Sequence, residues 1–280
     1  MTLQSSGAIS LANVQTEFGG SNPISISEYY GVASGVPTSG TISLSNFYGK
    51  SSIIPFSYLG SKVIKVFASG GTSISFTGFN NVGGAVAQGD VLIFAFMATT
   101  QGVTVNIGNP SGPTVIQQNV GTDSARTYLR TYYYVVPASP ANTFTWSRDS
   151  YNMEAMVFIY RFRGLTLTGG SPVWTSNINV AVNTAYPTFS ALSTGTRPKY
   201  VWFGSASYVA ARAYGASNWS PSQISGTNNW VSDFYVVGGQ ICGFSGWSTS
   251  NSNPGTVSGG IYNIGTSSSA AAGVRLYGNT

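Results

Sequence analysis

The chain has 280 residues, of which only 7% are charged, against about 25% in an average soluble domain. Its 12 Lys and Arg and 7 Asp and Glu give a net charge of +5, it contains no His, and Cys242 is its one cysteine. These counts exclude a Ser-His-Asp or Cys-His relay, a tetrahedral zinc site of the usual ligand sets and an internal disulfide. Hydrophobic residues make up 42% of the chain, so it can bury a sizeable core without such cross-links.

Neither a membrane nor a nucleic acid is expected as a partner. Residues 1–6 have no basic or apolar leader region, so we expect no signal peptide. The longest apolar run, 91–98, is too short to span a bilayer. The cations are scattered, with no run of five or more, whereas binding along a phosphate backbone needs clustered cations. The composition indicates a nearly neutral surface rich in Ser, Thr, Asn and Gly.

A short pattern occurs three times near the amino end, at 9–14, 24–29 and 42–47. In each copy an Ile precedes a Ser that can cap a helix, and Asn or Glu follows that Ser three positions later. Ser25 and Glu28 make a full capping box, and the Ile is spaced to pack on the fourth helical residue. A Gly follows each copy and can end the helix in the left-handed conformation. The pattern predicts three very short helices, with period-two β-strands as the alternative.

The apolar residues of this repeat need a surface to pack on, because helices this short are unstable alone. If that surface belongs to this chain, residues 1–50 form a small subdomain. If it belongs to another molecule, they form a docking segment. The residues expected to make docking contacts are Ile9, Leu11, Ile26, Tyr29, Tyr30, Leu44, Phe47 and Tyr48.

The runs SGAISL at 6–11 and TEFGG at 16–20 precede two Ile-Ser-(Ile/Leu)-Ser units, each ending in an aromatic residue, Tyr and Gly. With these motifs, residues 5–50 resemble the N-terminal segment of many tailed-bacteriophage virion proteins, especially tail-fibre and baseplate-associated proteins. The resemblance implies a structural role in a virion. It carries no catalytic residue and does not specify a place in the particle.

After residue 50, segments rich in Val, Ile, Phe and Tyr alternate with Gly, Ser, Asn and Pro. This texture predicts a mainly β, antiparallel, jelly-roll-like sandwich over residues 51–280, with the repeat at 1–50 as a separate N-terminal module. The predicted strands are 62–68, 72–76, 90–99, 126–136, 142–147, 154–163, 199–207, 230–237, 240–247 and 270–277.

Similar segments in similar order predict that the sandwich is a duplicated half-sandwich. The sequence matches 91–96 with 200–203, 128–136 with 234–237, 144–146 with 246–248, and 155–164 with 271–278. The first and last strands of each half should then be neighbours. The body also resembles a β-sandwich domain of phage tail proteins and some bacterial surface proteins, through the units at 89–96, 132–136 and 156–164.

Few side chains of the body point to chemistry. Asp149 and Glu154 could flank a sugar as glycosidase carboxylates do, but no pairing motif accompanies them. We therefore expect no catalytic residue, no cofactor and no metal site. Arg161 and Arg163 lie on one face of an apolar strand, and the expected partners are Asp149, Glu154 or another subunit.

Aromatic rings in the segment 208–230 suit a sugar or a protein partner. The candidates are Tyr214, Trp219 and Trp230. The alternative is that these rings anchor loops under the edge of the sandwich.

The function expected from residues and resemblance together is that of a non-enzymatic virion structural protein, made in the host cytoplasm and built into the tail. A tail-fibre or baseplate-peripheral protein is favoured, docked to other virion proteins through residues 1–50, with loops that contact a host-surface glycan. Self-association is expected, with a trimer as the first choice by analogy with fibres. The alternatives are a capsid decoration protein and a free carbohydrate-binding, lectin-like module.

Overall fold

A computed structural model describes residues 3–33, 35–52, 54, 56–100, 105–120, 127–172, 174–182, 200–209, 227–235, 241–248 and 268–277. The chain divides into two units, Met1–Pro55 with Asn279–Thr280, and Phe56–Gly278. We call them the N-terminal unit and the body.

The N-terminal unit contains the three helical turns expected from the repeat. They are the α-helix α1 (Leu11–Phe18) and two 3₁₀ turns, Ile26–Tyr29 and Leu44–Phe47. Their N-caps Ser10, Ser25 and Ser43 all have extended backbones, as caps do. The helical prediction is therefore confirmed over its β-strand alternative.

The body is built from β-strands, and every strand expected from the sequence overlaps an observed one. The sequence did not predict β4, β8, β9 and β10. The strands are β1 (Ser57–Ala68), β2 (Ser73–Thr77), β3 (Val91–Thr100), β4 (Thr114–Val120), β5 (Thr127–Val135), β6 (Thr143–Ser147), β7 (Met153–Arg163), β8 (Leu167–Thr168), β9 (Ser171–Pro172), β10 (Trp174–Val182), β11 (Tyr200–Val209), β12 (Thr227–Tyr235), β13 (Ile241–Ser248) and β14 (Ser268–Tyr277).

Two five-stranded antiparallel sheets make up most of the body. The first sheet has the order β1-β7-β3-β5-β4, and the second has the order β10-β14-β11-β13-β12. The strands β2 and β6 pair separately, as do β8 and β9. The prediction of a mainly β, antiparallel sandwich is confirmed.

The first sheet is covered on both faces. One face packs against the β2–β6 pair around Phe76, Phe94 and Trp146, and we call this the pair core. The other face packs against Trp247, Val274 and Leu276 of the second sheet, and we call this the inter-sheet core. Burial on both faces explains why β3 and β7 read as continuous apolar runs and not as alternating ones.

The two sheets have the same strand order when the strands of each half are numbered in the order in which they follow along the chain. In this correspondence β1, β7, β3, β5 and β4 match β10, β14, β11, β13 and β12. The predicted duplication is confirmed, and the first and last of the segments matched in each half, β3 with β7 and β11 with β14, are neighbours.

Two of the predicted matches inside the duplication are wrong. The Tyr-rich strand β5 corresponds to β13 and not to the segment at 234–237, which belongs partly to β12. Residues 144–146 lie in the β2–β6 pair, so 246–248 of β13 cannot be their counterpart. The errors arose because β4 was not predicted, since its polar run Gln117-Gln118-Asn119 does not resemble a strand. The next strand, β5, was therefore matched to β12 instead of β13.

Candidate functional site

The three turns of the N-terminal unit are capped in the same way. In each, the backbone N–H of the capping Ser donates to a side-chain oxygen three residues on. The pairs are Ser10 with Asn13 Oδ1 at 2.9 Å, Ser25 with Glu28 Oε1 at 3.0 Å and Ser43 with Asn46 Oδ1 at 2.8 Å. The side-chain oxygens of Asn13 and Asn46 thus accept the same hydrogen bond that Glu28 accepts in the second turn.

One aromatic ring from each turn meets the other two at the centre of the unit. The ring centroids lie 6.0 Å apart for Phe18 and Phe47, 6.1 Å for Tyr29 and Phe47, and 6.4 Å for Phe18 and Tyr29. Tyr29 and Phe47 are buried, with exposures of 2% and 0%. Burial, reinforced by the charge of Glu28, raises the pKa of Tyr29.

This triangle changes the set of residues that can dock. Tyr29 and Phe47 were expected to contact a partner, yet both are enclosed in the unit's own core with Val14, Ala33 and Val36. The sequence argument left open whether the turns pack on this chain or on another molecule. For these two rings the surface is the unit's own core, because the turns pack on one another.

Tyrosine hydroxyls join successive turns. Tyr30 donates to the carbonyl of Gly40, just before the third turn, and Tyr48 donates to the carbonyl of Gly7, just before the first. Gly7 and Gly40 occupy matching places in the sequence motif and have φ of 92° and 83°, which favours glycine. Tyr30 and Tyr48, also expected to dock, therefore have their hydroxyls engaged inside the unit.

The beginning and the end of the unit are hydrogen-bonded to each other. The backbone N–H of Leu3 donates to Lys50 O at 2.7 Å, and the N–H of Gly49 donates to Gln4 O at 3.0 Å. Together with the bond from Tyr48 to Gly7, these contacts close the repeat into a ring.

The other expected docking residues keep part of their surface outside this core. Ile9, Leu11, Ile26 and Leu44 are half-buried and pack against the core from its edge. We call these four residues the aliphatic rim. Leu11, Ile26 and Leu44 all occupy the first helical position of their turns.

In the body, a buried ion pair joins the residue that precedes β3 to the strand β7. Asp90 is fully buried and binds Arg161 through Nε at 2.7 Å and Nη2 at 2.6 Å. Arg163 Nε lies 2.7 Å from the second carboxylate oxygen, and Ala87 N–H donates to the first at 2.8 Å. The arginine partners expected from the sequence, Asp149 and Glu154, are wrong for both arginines.

The environment of Asp90 fixes it as a carboxylate. Burial alone would raise its pKa, but hydrogen bonds from Arg163, the Ala87 N–H and Arg161 outweigh burial and lower the pKa below its ordinary value. The bond to Asp90 in turn raises the pKa of Arg163. Arg161 Nη1 also donates to Val82 O and Gly84 O at 3.4 and 3.3 Å, so the cluster fixes a loop.

The two carboxylates that suggested a glycosidase have separate environments. Asp149 Oδ2 accepts from the backbone N–H and from Nδ2 of Asn106 at 2.9 and 3.0 Å. Glu154 is buried on β7, with an exposure of 3%. In the described part of the chain, no group of three or more His, Cys, Asp or Glu is placed to hold a metal ion.

Of the aromatic residues proposed for a glycan or partner, only one can be located. Trp230 lies on the edge strand β12, in register with Gly246 of β13. Tyr214 and Trp219 lie outside the described residues.

Sequence reasoning overlooked the role of Asp90, although residues 89–96 were singled out as a unit. The signal was present, because Asp90 is one of only 7 acids in the chain and directly precedes its most apolar strand. A charge there has to be paired if it is buried.

No family model, no curated protein and no solved structure matches this chain. Among the helices that the structure describes, none combines the length and the apolar character needed to cross a bilayer.

Proposed function

We propose that this chain is a non-enzymatic structural protein of a bacteriophage tail, in a fibre or at the periphery of the baseplate. The N-terminal unit attaches it to other tail proteins, and the body contacts the host surface. The resemblance of residues 5–50 to virion proteins supports the class. The absence of His from the whole sequence supports a role without the common acid–base relays.

The aliphatic rim carries the proposal of docking. The capping residues and the central rings account for the fold of each turn, but neither requires an aliphatic side chain at the first helical position. That position is ordinarily near solvent and favours Pro or an acidic residue. Leu11, Ile26 and Leu44 stand there instead and remain half-buried, so a partner that covers them gains apolar contact in all three turns.

The test uses phage particles that carry variants of the full chain. The double variant Leu11→Ser/Leu44→Ser removes rim surface and should lower the number of copies per purified particle at least severalfold. Val32→Ser is the matched control, since Val32 is another half-buried aliphatic of the same core that lies outside the turns. Copy number is measured by quantitative mass spectrometry, and hydrogen exchange verifies that each variant is folded.

Four outcomes would contradict the proposal. Normal incorporation of the double variant would show that the rim does not dock, and equal loss with Val32→Ser would show that stability alone matters. Absence of the protein from all particles would remove the virion role. Immunogold labelling then separates tail from capsid surface, and a capsid location would replace the tail assignment with a decoration role.

A further inference from the structure

The β2–β6 pair of the body has one face in the pair core and one face in solvent. Both strands alternate between exposed and buried residues, as strands with one covered face do. Ile74, Phe76 and Trp146 belong to the core. The solvent side, which we call the ribbon face, carries only Ser and Thr, and its residues are Ser73, Ser75, Thr77, Thr143, Thr145 and Ser147.

The hydroxyl groups of the ribbon face are ordered in pairs across the two strands. The register pairs Ser73 with Ser147, Ser75 with Thr145 and Thr77 with Thr143. The side-chain oxygens are 2.8 Å apart in the second pair and 3.0 Å apart in the third, so both of these pairs are hydrogen-bonded. Successive pairs are two residues apart along each strand, or about 7 Å. The ribbon face therefore offers an uncharged array of groups that can both donate and accept hydrogen bonds.

A carboxylate and an amide lie at one end of the ribbon face. Just beyond β6, Ile107 forms an antiparallel bridge with Arg148, and both side chains are buried. Asn106 and Asp149 form the next pair, so by alternation they lie on the side of Ser147. Oδ2 of Asp149 accepts hydrogen bonds from the backbone and the amide of Asn106. The other oxygen, Oδ1, is not enclosed and accepts no hydrogen bond from the described residues.

An exposed aromatic residue follows this carboxylate in a tight turn. The N–H of Tyr151 donates to the carbonyl of Asp149 at 2.9 Å, which closes a three-residue turn. Tyr151 is 47% exposed. The guanidinium of Arg148 fixes the turn, since it donates to the carbonyls of Asp149 and Tyr151 and also to those of Gly70 and Ser73. A rigid turn thus presents a carboxylate and a ring close together, and a ligand that binds there pays little ordering cost.

We propose that Asp149, Asn106 and Tyr151 bind a neutral sugar of a host glycan. Oδ1 of Asp149 accepts a hydrogen bond from one sugar hydroxyl, and the second amide hydrogen of Asn106 donates to the neighbouring hydroxyl. The ring of Tyr151 covers the apolar side of the sugar. The positive charge of Arg148 under the turn offsets the charge of Asp149, so the site favours no charged ligand. The inference rests on the proposed contact between body and host, for which it names the ligand class and the residues.

The ribbon face extends this site along the strands. Its three hydroxyl pairs cover about 14 Å from Ser147 to Thr143, which leaves room for further sugar units. Sugars laid on these pairs exchange hydrogen bonds with water for hydrogen bonds with Ser and Thr, a gain that is small for each contact. Longer oligosaccharides should therefore bind more tightly than short ones, in modest steps.

The test screens the purified full-length chain on an array of neutral and acidic bacterial polysaccharides. We expect binding to at least one neutral polysaccharide, whose oligosaccharides then serve as probes in calorimetry. Asp149→Asn keeps an oxygen for Asn106 but loses the charge, and should weaken binding at least about tenfold, the effect of one charge-assisted hydrogen bond. Tyr151→Ala should weaken binding severalfold, whereas Tyr151→Phe keeps the ring and should bind nearly as well as wild type.

The controls separate the site from other exposed surface and from misfolding. Leu167→Ala changes another exposed side chain of the body, on β8, and should leave binding unchanged. The double variant Ser75→Ala/Thr145→Ala removes one hydroxyl pair and should weaken binding of long oligosaccharides but not of the shortest. Urea unfolding verifies that each variant is folded. If Asp149→Asn is unstable, the two Tyr151 variants still decide, because the turn is held by the backbone of Tyr151 and not by its ring.

Absence of binding to every neutral polysaccharide, binding to acidic polysaccharides alone, or unchanged binding by Asp149→Asn or Tyr151→Ala would overturn the assignment. None of these results depends on whether the chain enters a particle. A failure of this site would therefore leave the docking of the aliphatic rim to be decided by its own test.

Discussion

Replacement of Asp90 by Asn should destabilise the body, because two arginines lose the carboxylate that they share. The substitution preserves the shape of the side chain but removes the negative charge between Arg161 and Arg163. The side chain of Asp90 is fully buried and that of Arg161 is 7% exposed, so the arginine would keep a charge without its partner. Such a broken buried pair costs about 3–5 kcal/mol.

The expected magnitude lies near the lower end of that range. The amide oxygen of Asn can still accept one hydrogen bond, so we expect a loss of about 3 kcal/mol. For a body of this size the loss corresponds to a fall in Tm of roughly 6–12 °C. Arg163→Gln should cost under about 1 kcal/mol, because pairing at an exposed site is screened by water and the Arg163 side chain is 37% exposed.

Tryptophan fluorescence during urea unfolding measures both values. All 6 tryptophans follow residue 145, so the signal comes from the body and not from the N-terminal unit. The single variant Arg161→Gln and the double variant Asp90→Asn/Arg161→Gln complete a mutant cycle that isolates the pair. A cost of Asp90→Asn below about 1 kcal/mol, or an equal cost for Arg163→Gln, would refute this reasoning, since either value is that of an exposed pair.

The remaining predictions follow from other contacts. Because folding lowers the pKa of Asp90, the contribution of its charge to the free energy of unfolding is present above about pH 4 and is lost as the pH falls through the folded pKa. The free energies of unfolding of wild type and Asp90→Asn, measured in urea, should therefore converge there. A difference that stays constant with pH would contradict this prediction. Phe47→Ala should destabilise the N-terminal unit by about 3–5 kcal/mol, read from hydrogen exchange of peptides within 3–50; unchanged protection would disprove the central triangle. Tyr48→Phe should cost about 1 kcal/mol in the same measurement, and no loss would mean that ring closure is unimportant. A Cβ on Gly60 would lie 2.5 Å from Gly83 Cα, whereas one on Gly84 meets nothing within 4 Å; Gly60→Ala should therefore lower urea stability by about 1–3 kcal/mol more than Gly84→Ala, and equal effects would argue against this close approach.

Local chemistry made the N-terminal turns predictable. Ser25 and Glu28 are three residues apart, and a capping box can be recognised from that sequence spacing alone. The closing contacts were not predictable in this way, because Tyr48 and Gly7 are 41 residues apart. Sequence patterns specify each turn but not how the turns pack, so the burial of Tyr29 and Phe47 emerged only in three dimensions.

The body shows the same division between local and distant information. The apolar strands β3 and β7 were evident from composition, whereas β4 and β10 are interrupted by polar residues such as Gln117 and Asn177. Asp90 and Arg161 are 71 residues apart, and nothing in the spacing of charges links them.

Hydrogen bonds between residues 3–4 and 49–50 bring the entry and exit of the N-terminal unit side by side. A segment whose first and last residues are adjacent can be inserted into another protein with little disturbance of that protein's fold. A fluorescent or affinity tag attached next to Leu3 would accordingly stand close to Lys50 and would mark that place rather than any point further round the ring.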